Sequence, residues 1–206
     1  DPAGQVVSLP AWVPGSYLIR DIARNITTIR AETRGEPLQL HKLDKDSWRC
    51  GPADGGILIR YRVYAWDLSV RTAHLDATHG FFNGSSVFLR VHGMENISCT
   101  AELSPPQGIA GWKVATAMTR MDVDRAGFGR YSAADYDELI DHPVEMGRFA
   151  SATFEACGVT HEVAITGVQR ADLKRLCADL KRICEHQIRF FGEPAPMRRY
   201  VFLIMA

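Results

Sequence analysis

The chain has 206 residues, 46% hydrophobic and 23% charged, enough apolar material for one large domain or one and a half. Its 24 basic and 24 acidic residues cancel to a formal charge of +0 and form no basic patch, which argues against nucleic acid and anionic membranes as partners. No apolar run approaches the roughly 18–20 residues of a membrane span, and five cysteines without a CxxC pair fit a reduced, cytoplasmic setting.

In chain order, the signals from Gln5 to about Met118 are those of strands. The run QVVSLP opens the series. Ile57–Trp66 alternates, with Ile57, Ile59, Tyr61, Val63 and Ala65 on one face and Leu58, Arg60, Arg62, Tyr64 and Trp66 on the other. Val87–Val91, Cys99–Leu103 and Trp112–Met118 are further short strands. Gly51-Pro52, Gly55-Gly56, Asn83-Gly84 and Pro105-Pro106 punctuate them. Short strands at this spacing without intervening helices indicate an antiparallel sandwich or saddle.

The character changes after about Tyr131. Tyr136–Gly147 is acidic and broken by Pro143, so it reads as a linker or crossover with a short helical turn. Arg148–Phe154 and His161–Ile165 form a strand pair around Cys157-Gly158. Arg170–Phe191 is the clear helix: Leu173, Leu176, Cys177, Leu180, Ile183, Cys184, Ile188 and Phe191 recur at helical steps, and Gly192 with Pro194 ends it. Arg199–Met205 then reads as a strand, closing a strand–helix–strand unit. The expected fold is mainly β with a small α/β part, divided into residues 1–134 and 135–206. The chain opens on Asp1-Pro2 without Met and stops one residue after an apolar strand, so it reads as a fragment of a longer protein.

Ionisable and aromatic residues concentrate in Asp67–Gly84 (DLSVRTAHLDATHGFFNG), where a structural loop would hold Ser, Gly, Pro and Lys. No complete catalytic constellation accompanies them. His161-Glu162 starts an HExxH, the zinc motif that needs two His one helical turn apart, but Ile165 stands where the second His belongs. The segment HEVAIT also alternates as a strand does. His74 and His79 flank Asp76 at a spacing that suits neither a helix face nor a strand face. Ser85 and Ser86 lack a nucleophile elbow, and Cys177 and Cys184 lie on the apolar helix stripe as core residues. Asp135, Asp137, Glu138, Asp141 and Glu145 could bind a cation or an amine, or be a solvated crossover.

Four segments resemble the glycyl-aminopeptidase family of zinc metallopeptidases, distant relatives of aminopeptidase N: LPAWVPGSYLIRDIARN (9–25), Asp67–Gly84, DYDELIDHPVEMG (135–147) and FFGEPAPMRRYVFL (190–203). The resemblance implies a β-rich N-terminal domain and, from 135 onward, a linker and the start of a thermolysin-like catalytic domain. It further implies zinc in the parent enzyme, held by an HExxH that this sequence lacks, with a PDZ-like domain further on. The parent would remove small N-terminal residues such as Gly or Ala. This portion would hold no catalytic residue and no metal, and its partners would be the peptide substrate and the rest of its own chain.

In relatives of aminopeptidase N, a polar loop of the N-terminal domain helps to grip the substrate's free α-amine. By position, His79, Phe81, Phe82, Asn83 and Gly84 resemble that cleft wall, with Asn83 offering a carbonyl to an ammonium and the phenylalanines narrowing the pocket or packing between the domains. Tyr17, Arg20 and Asp21 would brace it. Gly93–Asn96 (GMEN) superficially matches the GxMEN signature of aminopeptidases but sits in a loop, and reads as coincidence. Two rival expectations are an independent β-sandwich module binding peptide or carbohydrate through Trp12, Trp48, Trp66 and Trp112, and a self-contained hydrolase with a metal held by His74, Asp76 and His79.

Overall fold

The alternation along Ile57–Val63 appears directly in three dimensions: Ile57, Ile59, Tyr61 and Val63 are partly buried, whereas Leu58, Arg60 and Arg62 face solvent. In a computed structural model, which describes residues 4–13, 15–16 and 18–206, this strand pairs antiparallel with Ile26–Thr33. Glu36–Leu38 completes that three-stranded sheet. A four-stranded sheet is ordered Leu40–Lys42, Ser47–Cys50, Val6–Ser8, Arg90–Val91. Val7, Leu9, Ile22 and Trp48 from its side pack with Ile26, Ile29 and Ile59 of the other. Each such fully buried side chain contributes about 1.5–3 kcal/mol.

A second core lies under two further sheets. One holds Cys99–Leu103, Gly129–Ala133 and Thr119–Val123. The other is ordered Lys113–Ala115, Val144–Gly147, His79–Phe82, Ala73–Leu75. Trp112, Val114, Met118, Tyr131, Phe82 and Val144 fill the space with Leu139 and Ile140 of the helix α1 (Tyr136–Asp141). Asp135 caps α1, its side chain accepting from Glu138 N at 2.8 Å.

The last part is a small α/β unit. Phe149–Ala156 pairs antiparallel with Val159–Thr166, which pairs in parallel with Arg199–Met205. A parallel pair needs a crossover, and helix α2 (Leu173–Phe191) supplies it. Asp172 caps α2 by accepting from Arg175 N at 3.1 Å, so the helix begins later than Arg170; Gly192 ends it at φ 104°. The chain is therefore mainly β, with antiparallel sheets followed by a strand–helix–strand unit.

Several local expectations are corrected. Val87–Val91 is not one strand: the turn Gly84–Ser86 carries its backbone bonds on to Val87 and Phe88, leaving only Arg90–Val91 to pair. Strand pairing continues past Met118 through the hairpin Thr119–Val123 and Gly129–Ala133. Residues 135–147, expected to link the two parts, are woven into the earlier sheets, because Val144–Gly147 lies between Lys113–Ala115 and His79–Phe82. Cys177 and Cys184 are half-buried rather than core, and on the α2 stripe only Ile188 is buried. Among the described residues no helix is long and apolar enough to cross a membrane.

Candidate functional site

The segment Asp67–Gly84 folds into a hairpin of Ala73–Leu75 and His79–Phe82. Asp76 makes its turn: Oδ1 accepts from Thr78 N at 2.6 Å, Thr78 Oγ1 at 2.6 Å and His79 N at 3.0 Å. The Thr78 hydroxyl first, then the two N–H groups, hold the Asp76 carboxyl well below the usual carboxylate range.

Side chains alternate across this sheet, and the register sorts them. Val144, Phe82 and Ala73 stand in one row across three strands, on the face that packs into the core. On the opposite face Glu145, Phe81 and His74 stand in the next row, with His79 two residues along. That face meets the last sheet: Ala115 packs with Phe149 and Ala164, and Lys113 Nζ donates to Phe149 O at 3.0 Å.

A buried polar cluster occupies the seam. His79 Nδ1 lies 3.1 Å from Glu145 Oε1, and Thr166 Oγ1 donates to the same oxygen at 2.8 Å. Glu145 is 2% exposed, and its Oε2 has no partner among the described residues. Burial raises its pKa to about 7, against the lowering effect of the Thr166 hydroxyl. Burial likewise pushes the His79 pKa down, and His74 adds to the fall while Asp76 opposes it. The His74 ring stacks on His79 at 5.0 Å and 28°, beneath Trp66 at 5.1 Å. Its Nε2 lies 3.3 Å from Asp76 Oδ2, and its buried Nδ1 lacks a partner among the described residues. Gly147, opposite His79, makes room for the ring, since a Cβ there would lie 2.8 Å from His79 Cβ. Beside the cluster runs a groove of about 480 Å³ lined by His79, Thr78, Trp112, Arg148 and Thr166.

His74, Asp76 and His79 do come together, their ligand atoms within 4.8 Å of one another. Two imidazoles and a carboxylate at that separation make a donor set that could hold a metal ion.

The other expected wall residues are placed as follows. Phe81 and Phe82 are buried, Phe82 edge-on to Phe88 at 5.7 Å. Asn83 is also buried; its Oδ1 accepts from Ser85 N at 3.1 Å and caps the turn Gly84–Ser86. Gly84 lies under α1, where a Cβ would stand 2.6 Å from Ile140 Cα. Arg20 donates to Ser16 Oγ at 3.2 Å and Asp21 pairs with Lys45 Nζ at 2.6 Å, both within their own surface, although the adjoining turn Ile22–Asn25 touches Gly84–Ser86. Tyr17 lies outside the described residues. Trp48 and Trp112 are core residues, so the four tryptophans form no common platform. Glu95 of the GMEN run pairs with Arg90 at 2.7 Å in a surface turn. His161 sits in a strand, stacked on Phe154 at 4.9 Å.

Glu145 was offered by the sequence only within an acidic run that could bind a cation or an amine or be a solvated crossover, and was not singled out from Asp135, Asp137, Glu138 and Asp141. Its signal was the alternation Val144-Glu145-Met146 after Pro143, which places one acid on an otherwise apolar strand.

These layered sheets, ending in a strand–helix–strand unit, form the N-terminal region of a peptidase. The chain belongs to the peptidase M61 family: the profile of the Peptidase M61 N-terminal domain matches residues 1–148. An aminopeptidase N family protein from Idiomarina loihiensis is 41% identical, with a TM-score of 0.95 over 98% of this chain. The chain spans 34% of that protein's length. A zinc metallopeptidase of family M1 from Deinococcus radiodurans, bound to a Tyr-Ser-Ala substrate, matches at 11% identity and a TM-score of 0.50, covering 98% of this chain and 49% of its own. Native yeast LTA4 hydrolase matches at 12% and 0.50, over 88% of this chain and 31% of its own. At those identities the likeness is one of fold alone. No curated protein matches the chain.

Proposed function

We propose that this chain is the N-terminal, non-catalytic portion of a zinc-dependent aminopeptidase that removes small N-terminal residues such as Gly or Ala. The observation that carries the reading is the 41% identity to an aminopeptidase N family protein over nearly the whole chain. The zinc belongs to residues outside this sequence, which holds no HExxH. There a bound zinc would polarise the scissile carbonyl and activate water.

The chain's own part is to form one wall of the substrate cleft and to receive the peptide's free amine. The groove beside His79 supports that role, because His79 lines it and the buried Glu145 carboxyl backs the His79 ring. Phe82 backs the wall from the core face, Phe81 stands beside Glu145 and His74 on the face that carries His79, and Asn83 and Gly84 shape the turn that holds it. Arg20 and Asp21 brace it through the turn Ile22–Asn25, and Tyr17 belongs to the same bracing segment. Its partners are the peptide and the remainder of its own chain, a catalytic domain begun by the strand–helix–strand unit and a PDZ-like domain.

The test is hydrolysis by the full-length protein of Gly- and Ala-terminated peptides against their N-acetylated forms, with and without a zinc chelator. Chelator-sensitive cleavage restricted to free amines supports the reading. Equal cleavage of acetylated peptides, or none of either, overturns it.

A further inference from the structure

We propose that Glu145 is a positioning residue for the amine-binding wall, holding His79 in the tautomer whose Nε2 accepts a hydrogen bond from a peptide's protonated α-amine. The proposal rests on the aminopeptidase reading and names the atom that meets the substrate.

The argument begins with donors and acceptors. A carboxylate only accepts, and Glu145 Oε1 receives Thr166 Oγ1–H at 2.8 Å while facing His79 Nδ1 at 3.1 Å. With Glu145 ionised, Nδ1 bears the proton, and in the neutral ring Nε2 is left with a lone pair. Among the described residues Nε2 has no hydrogen-bond partner, and His79 lines the groove.

The ring is also fixed in place. His74 stacks on it at 5.0 Å, Trp66 covers His74, and Asp76 ties down both His74 Nε2 and the His79 backbone N–H. Gly147 leaves no side chain to push it aside.

The surrounding charge suits a cation. The groups facing His79 are Asp76 and His74 from its own hairpin, Glu145 from the neighbouring strand and the neutral Thr166 from the next sheet. The one basic side chain on the groove, Arg148, turns its guanidinium to Ala110 O at 2.8 Å. An ammonium is thus met by one neutral nitrogen acceptor backed by two carboxyl groups. Burial keeps the ring neutral and lifts the Glu145 pKa to about 7, so the arrangement, which needs the ionised carboxyl, is complete above about pH 7.

The experiment uses the full-length enzyme with alanyl p-nitroanilide, comparing wild type, E145A, E145Q and H79Q. E145A should raise KM roughly tenfold or more, the worth of a hydrogen bond to a charged group, with kcat little changed. E145Q, which keeps an acceptor oxygen for Nδ1–H, should restore most of the loss. H79Q should shift the acid limb of the kcat/KM profile, which a packing role would leave in place. Should E145A fail to fold by its thermal transition, E145Q and H79Q decide. An active enzyme whose KM and pH profile are unmoved by these variants overturns the inference and leaves the functional reading standing. A wild-type enzyme with no activity on free amines overturns both.

Discussion

Thr166 and Glu145 meet across a seam between two sheets, the threonine hydroxyl donating to the carboxyl at 2.8 Å. Glu145 belongs to a strand paired with His79–Phe82, and Thr166 ends a strand of the α/β unit, so one hydrogen bond joins the two parts at the most deeply buried acid of the cluster.

That bond favours the ionised carboxyl, so its loss should be felt most when Glu145 is charged. T166V should cost about 1.5–3 kcal/mol at pH 8 and less at pH 5, whereas T166S, which keeps the hydroxyl, should cost far less. Thermal unfolding of both variants at the two pH values checks this. Equal losses at both would show that the hydroxyl does not act on the carboxylate.

The pH dependence of stability follows from the two shifts in the pair. Glu145 is raised from 4.5 to about 7, so the stability it contributes is complete below 4.5 and is lost as pH rises through about 7. His79 is lowered from 6.5, so its contribution is present above 6.5 and is lost as pH falls through the folded value. The slopes oppose each other in wild type. E145Q should therefore gain on wild type by at most about 3 kcal/mol between pH 4.5 and 8, and H79Q should lose stability with rising pH over the same range. Melting curves of all three that stay parallel would refute the linkage.

G147A tests the close approach of the two strands. The added Cβ would meet His79 Cβ at 2.8 Å and Thr78 O at 3.3 Å, neither of which is the loose end of a side chain. The strands must part, at a cost of about 1–3 kcal/mol. A thermal midpoint equal to wild type would show that the strands yield freely.

D76A should open the hairpin turn, at a cost on the order of 1–2 kcal/mol for the lost bonds to Thr78 and His79. D76N keeps the accepting oxygen and should lose less. Because the Asp76 pKa is depressed below its ordinary 3.8, its advantage over Asn is present above that value and fades as pH falls through the folded one. Stability measured for both variants from pH 2 to 7 provides the check.

Much of the architecture was legible in the residues. The alternation of Ile57–Val63 and the capped stripe of α2 named their own elements, and the period-two run around His161 excluded a helical zinc motif. Legibility failed where one side chain redirected the backbone: Asn83 turns Gly84–Ser86 into a helical turn and so shortens the following strand. It failed again at Glu145, because charge along a sequence does not reveal which neighbour a strand will choose. His74, Asp76 and His79 were visible as a group, yet their stacking depends on a hairpin register that spacing alone does not specify. Asn83 has the chemistry to meet an ammonium, but its oxygen is already engaged by Ser85 N.

The placement of Glu145 on the face turned toward the α/β unit has a consequence for how the buried polar cluster gains its acid–base character. The neighbouring residues Val144 and Met146 are inserted into a core that the earlier sheets build for themselves. Burial is the main cause of the raised Glu145 pKa, and the Thr166 hydroxyl, from a different sheet, works against the rise. The cluster's acid–base character is therefore shared between two sheets, one carrying Glu145 and His79 and the other Thr166.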